Sequence, residues 1–217
     1  METADLIRSL ADNVKPVKRL RPPLIRSSAW VLMALGLMVL LTAVHGPRPQ
    51  FGERLKDVMF LTGMLSSLAT GVLAAIATFF ISLPDRSRLW MVLPLPAIVV
   101  WMSTIGYQCF AGWVDLPPGA VTVEAASSCL LTLIVTSVPL SLMMTAMLRY
   151  AALLRPISVT LLGSLAISGV TCSALAMFHP LDATIMVLGW NLGTAVLLAG
   201  IATLLSRRIS RRRRPTD

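Results

Sequence analysis

Charge is scarce in this chain, and it is missing where its absence says most. Only 13% of the 217 residues are Asp, Glu, Lys or Arg, and 10 of those are acidic. Six stretches contain none of the four: Ser28–Val44, Val58–Leu83, Leu89–Gln108, Ser127–Leu148, Ile157–Phe178 and Thr184–Ser206. Ion-coupled transporters and proton pumps place carboxylates, His or Lys inside such stretches, so their absence counts against both. Cysteine is nearly absent too. Three cysteines, none in CxxC or CxxH spacing, argue against a disulfide framework and against a structural zinc site. No metal and no cofactor are expected. No internal repeat is evident, which removes the case for an inverted-repeat transporter.

What remains is apolar. The chain is 56% hydrophobic and its mean hydropathy is +0.78, more apolar surface than a soluble domain of this length can bury. A helix crossing a bilayer needs about 20 apolar residues, and each of the six stretches approaches or exceeds that length. The fold class expected is all-α: a polytopic bundle of six transmembrane helices, with a short amphipathic segment before it. The expected organisation is a cytoplasmic segment 1–26, a membrane domain 27–206 and a basic tail 207–217, which leaves no room for a soluble catalytic domain.

The net charge of +9 is distributed with a bias. With the N-terminus in the cytoplasm, three basic residues (Arg48, Arg54 and Lys56) fall outside. The cytoplasmic side takes the other sixteen of the 19, from Arg8 through Arg86, Arg88, Arg149 and Arg155 to Arg207–Arg214. This obeys the positive-inside rule and places both termini in the cytoplasm. The basic tail reads as a topology anchor facing anionic headgroups, with the lipid bilayer as partner and no direct contact with nucleic acid. The charged opening is too long for a secretory signal, so the first span reads as an uncleaved anchor.

The opening segment has a pattern of its own. Thr3 can cap a helix that carries Asp5 in its first turn. Leu6, Ile7, Leu10 and Val14 then form one apolar stripe. Pro16 disfavours helix at Lys15, and Pro22–Pro23 break whatever precedes the first span. Such a segment can lie on the membrane or dock in a partner's groove, and the pattern leaves both open. The recurrent glycines of the spans (Gly63, Gly71, Gly163, Gly169, Gly189, Gly193 and Gly200) read as points of close helix approach. Mid-span Ser and Thr read as hydroxyls satisfied by their own backbone. By topology Cys109 and Cys129 flank one outer loop, Cys109–Ala126, while Cys172 lies deeper, about two turns from His179.

Three blocks of residues resemble the NrsF-like anti-sigma factors, multi-pass membrane proteins of the bacterial inner membrane. The first is Asp5-Leu6-Ile7-Arg8-Ser9-Leu10-Ala11 with Pro16-Val17-Lys18-Arg19-Leu20 and Pro22-Pro23. The second is Cys129, followed by Pro139, Leu148-Arg149 and Pro156. The third is Phe178-His179-Pro180-Leu181-Asp182 with Gly189-Trp190 and Gly200. The resemblance implies a non-enzymatic regulator that sequesters an extracytoplasmic-function sigma factor and releases it on an oxidative or thiol-reactive signal. It implies partner binding by Leu6, Ile7, Leu10, Lys18 and Arg19, and redox sensing at Cys129. His179 stands where the family pattern usually has a second cysteine. Cys129 therefore acts alone, or pairs with Cys109 or Cys172, or works beside the His179 imidazole. Two rival readings stand beside this one. A small transporter or channel is disfavoured by the charge-free spans, and a membrane thiol-redox enzyme by the missing CxxC.

Overall fold

The computed structural model describes residues 21–48, 51–112, 123–149, 155–178, 191–194, 196–197 and 200, with the backbone alone over 108–112 and 123–130. Every regular element among them is helical. In chain order these are α1 (Pro23–His45), a single turn α2 (Phe51–Arg54), α3 (Val58–Ile81), a 3-10 turn (Arg88–Val92), α4 (Leu95–Gly112), α5 (Val123–Leu148) and α6 (Pro156–Phe178). Five segments are long and apolar enough to cross a membrane: Pro23–His45, Val58–Ile81, Arg88–Tyr107, Leu131–Leu148 and Pro156–Phe178. They match the first five expected spans. The sixth, Thr184–Ser206, lies mostly outside the described residues, though 191–194 are helical.

Local chemistry sets the ends. Pro23 opens α1 at a position where its missing N–H costs nothing and its fixed φ suits the helix. The helix stops at Gly46, whose φ of +79° a residue with a Cβ rarely adopts. Asp57 caps α3, its carboxylate accepting from the Met59 N–H at 2.9 Å. The third span is interrupted where an unbroken helix was expected. Pro94 has no N–H to continue the 3-10 turn, and the chain restarts as α4 with Pro96 tolerated in the first turn. The loop expected over Cys109–Ala126 is shorter than its sequence suggested. Helix α4 runs on to Gly112 and α5 begins at Val123, because Phe110, Ala111 and Val123-Glu124-Ala125-Ala126 contain no strong helix breaker.

The core is built on α3 and α6. Both are largely buried, whereas α1 exposes Leu24, Leu32, Val39, Leu40 and Val44 on one side. Apolar patches of that extent need a cover, and lipid is the natural one for helices of this length. Helices α3 and α6 meet backbone to backbone. A Cβ added at Gly169 would lie 2.5 Å from the Ser67 carbonyl oxygen and 2.6 Å from the Gly71 nitrogen. One added at Gly71 would lie 2.8 Å from the Val170 nitrogen. Beside this crossing the Ser67 and Ser173 hydroxyls lie 2.8 Å apart in a hydrogen bond between the helices. Glycine contact with hydroxyl bonding is how helices associate where no hydrophobic drive exists. On the α1 side, Trp30, Ala34, Phe79, Leu140, Met144 and Val170 form the main apolar cluster.

Hydroxyls inside the spans mostly bond their own helix, as expected. Thr78 donates to the Ala74 carbonyl at 2.7 Å, Ser137 to Leu133 at 2.7 Å and Thr104 to Trp101 at 2.7 Å. Thr70 and Thr171 depart from that pattern. Both are fully buried, and neither hydroxyl has a hydrogen-bond partner.

Candidate functional site

The five long helices α1, α3, α4, α5 and α6 alternate in direction, so the bundle has two chemically different ends. One gathers Arg21, Arg26, Asp85, Arg86, Arg88, Arg149 and Arg155, and is the arginine-rich end. The far end holds Arg48, Arg54, Lys56, Glu53 and Asp57. Each end has its own candidate site.

Toward the far end lie the cysteines. Cys172 is buried on α6 in a small apolar cluster with Trp101 of α4, Leu133 of α5 and Leu175, flanked by Ile105. Cys129 is four residues before Leu133 on α5, and Cys109 is four residues after Ile105 on α4. Four residues are one helical turn, a rise of about 6 Å. All three cysteines are therefore carried on helices whose neighbouring turns meet in one cluster. Cys109 and Cys129 stand one turn farther toward the far end than their helices' contributions to it. Their side chains are outside the described residues, as is His179. The residue before His179 is fixed: Phe178 stacks on His45 with ring centroids 5.2 Å apart, and the Arg48 N–H donates to the Met177 carbonyl at 2.9 Å. These contacts tie the end of α1 to the end of α6. Among the described residues no three His, Cys, Asp or Glu side chains gather as a metal site would require.

At the arginine-rich end, α1 presents a row at i, i+4 and i+8: Arg26, Trp30 and Ala34, all buried. The Trp30 indole N–H donates to the Leu140 carbonyl at 3.4 Å. One Arg26 guanidinium nitrogen donates to the Met147 carbonyl, and the guanidinium carbon lies 5.2 Å from the centroid of the Phe79 ring. Its other terminal nitrogen is buried without a hydrogen-bond partner. Met147 belongs to the last turn of α5, where carbonyls have no partner within the helix and the dipole favours a cation. Sequence reasoning missed this arrangement because it counted Arg26 only as a positive-inside charge ending a linker. A signal was present: Arg26 is in helical register with Trp30, one turn before it.

The residues expected to bind a partner, Leu6, Ile7, Leu10, Lys18 and Arg19, lie outside the described residues. What the structure gives is their attachment. The segment that carries them runs directly into α1 at Pro23, one turn before the buried Arg26.

Compared with known proteins, the chain matches one family model, described as NrsF, negative regulator of sigma F, over residues 10–211. No curated protein and no solved structure matches it.

Proposed function

Because the chain belongs to the NrsF family of negative regulators of sigma F, we propose that it is a membrane-bound anti-sigma factor whose N-terminal segment sequesters an extracytoplasmic-function sigma factor. The family match over nearly the whole chain carries this reading. In this mechanism the apolar stripe Leu6, Ile7 and Leu10 docks in a groove of the sigma factor, while Lys18 and Arg19 speed the encounter electrostatically. Held at the bacterial inner membrane with both termini cytoplasmic, the sigma factor is kept from RNA polymerase. The five long apolar helices support the membrane assignment, and the bias of basic residues supports the orientation. The role is regulatory and involves no catalysis.

Release follows an oxidative or thiol-reactive signal at Cys129. The thiolate is the reactive form, and the reagent must reach it. Cys172, enclosed by Trp101, Leu133 and Leu175, is thus the poorest candidate for first attack. A sulfenic acid requires one cysteine, whereas a disulfide requires a second with its Cα within about 7 Å.

Two experiments test the reading. Leu6→Ala with Leu10→Ala should release the sigma factor without stress and leave membrane insertion intact, since apolar anchors at a hot spot contribute about 2 kcal/mol or more each. Unchanged repression would remove the segment as the binding site. Single Cys→Ser variants at 109, 129 and 172, followed by target transcription after oxidant exposure, assign the sensor. Loss of response at 129 alone supports a solitary sulfenic acid, and loss at two positions a disulfide. A normal response in Cys129→Ser ends the proposed role for that residue.

A further inference from the structure

We propose that Arg26 is a two-position latch that couples the far half of α5 to the N-terminal segment, an inference that rests on the anti-sigma reading above. The argument begins with where an arginine at this position would ordinarily go. Arg26 is three residues from the start of α1, a rise of about 4.5 Å, and its side chain is long enough to reach the aqueous boundary. It turns inward instead. The residue is only 6% exposed, its guanidinium lies against Phe79 of α3, and it donates to the Met147 carbonyl of α5. One side chain thus joins three helices at the end where the N-terminal segment departs.

The inserted position is incompletely satisfied. A guanidinium carries five N–H donors, and here one terminal nitrogen is buried with no hydrogen-bond partner. The cation–π contact and the helix-end carbonyl favour insertion, while the cost of removing the charge from water opposes it. These terms pull the group toward two competing positions: under the last turn of α5, or out among water and headgroups.

The structure also supplies a route by which α5 can bias the choice. Pro139 lies inside α5, where it removes one backbone hydrogen bond and makes a local point of bending. Among the described residues, the α1 side chains that hydrogen-bond to α5 do so beyond that proline, Trp30 at Leu140 and Arg26 at Met147. Cys129 lies on the other side of Pro139, on the same helix. A change at the Cys129 end that bends or rotates α5 moves the Met147 carbonyl away from Arg26. The latch then withdraws, and α1 loses its fixed position against α5.

The test has a structural arm and a transcriptional arm. Spin labels are placed at positions 24 and 146, both exposed, in the full chain with Cys109, Cys129 and Cys172 replaced by alanine, and the distance between them is measured by pulsed EPR in lipid nanodiscs. With Arg26 present the distribution should be narrow. In Arg26→Met, which keeps the apolar stem and loses the donors, it should broaden and lengthen; Arg26→Lys should fall between. In cells, Arg26→Met in the otherwise unaltered chain should raise unstressed sigma-dependent transcription about tenfold at equal membrane abundance. If Arg26→Met fails to insert, Phe79→Leu, which removes the ring beneath the guanidinium, takes its place in both arms. Unchanged distances overturn the latch. Unchanged transcription overturns it as well, and the Leu6→Ala, Leu10→Ala variant shows which reading has failed. If that control derepresses, the anti-sigma function stands and only the latch falls; if it does not, the binding segment was wrongly assigned.

Discussion

Helices α3 and α6 are joined by what their residues lack, and α1 and α5 by what theirs extend. At the first interface Gly71 and Gly169 let the two backbones touch, and short serine hydroxyls complete the contact. At the second, an arginine and a tryptophan span the gap to reach carbonyls on the neighbouring helix. The difference is mechanical. Backbone-to-backbone contact leaves no rotamer that can change to accommodate movement, which favours α3 and α6 moving together. Long side chains can change rotamer or withdraw, so α1 and α5 can shift against that pair without dismantling it. A regulator that signals through its bundle needs both a frame and an element able to move against it.

The sharpest way to break this contrast is to fill the rigid interface. Gly169→Ala places a Cβ within contact-forbidden distance of the Ser67 carbonyl and Gly71 nitrogen. It should cost about 3 kcal/mol in unfolding from mixed detergent micelles, the upper range for overpacking. Gly193→Ala, with open space within 4 Å, should be silent on the same measurement. A smaller effect should come from the movable interface. Trp30→Phe removes the donor to Leu140 and leaves a cavity where the indole's second ring was, which should lower stability by about 2 kcal/mol. Smaller again, Ser173→Ala removes the bond to Ser67 and should cost about 0.6 kcal/mol, the average for such bonds between membrane helices. A double-mutant cycle with Ser67→Ala checks that this is a pair energy. The last effect should have the opposite sign. Thr70→Val replaces a fully buried, unpaired hydroxyl with a methyl, and should leave stability unchanged or raise it by up to about 1 kcal/mol.

These interfaces were unequally legible in the sequence. The first five spans were readable because their length and freedom from charge are properties of single stretches. The break at Pro94 was marked by an X-Pro-X-Pro pattern, yet a hydropathy reading passes through it. The glycines were visible as a class, but Gly169 and Gly193 look alike in sequence, and only the crossing of α3 with α6 separates a backbone contact from open space. Arg26 was legible as a charge and not as a contact, because its partners, Phe79 and the Met147 carbonyl, lie far away in sequence and one is backbone. The hydroxyls of Thr70 and Thr171 were read as backbone-satisfied by residue type, and type says nothing about which rotamer the packing permits. The cysteines proposed to sense, Cys129 with Cys109 as a possible helper, gain from the structure their register on α5 and α4 and the cluster one turn away.

That cluster has an optical consequence. Trp101 is almost wholly enclosed and shares its surroundings with Cys172, with Cys109 two turns farther along the Trp101 helix. An indole shielded from water emits toward the blue, and a heavy atom bound to a nearby sulfur quenches it. Titration with mercuric ion, followed at the emission of Trp101 against a Trp101→Phe control, therefore gives the reaction of Cys172 a time course in each cysteine variant. The chain carries its own fluorophore beside the Cys172 thiol, and the moment at which that thiol reacts becomes measurable without any label.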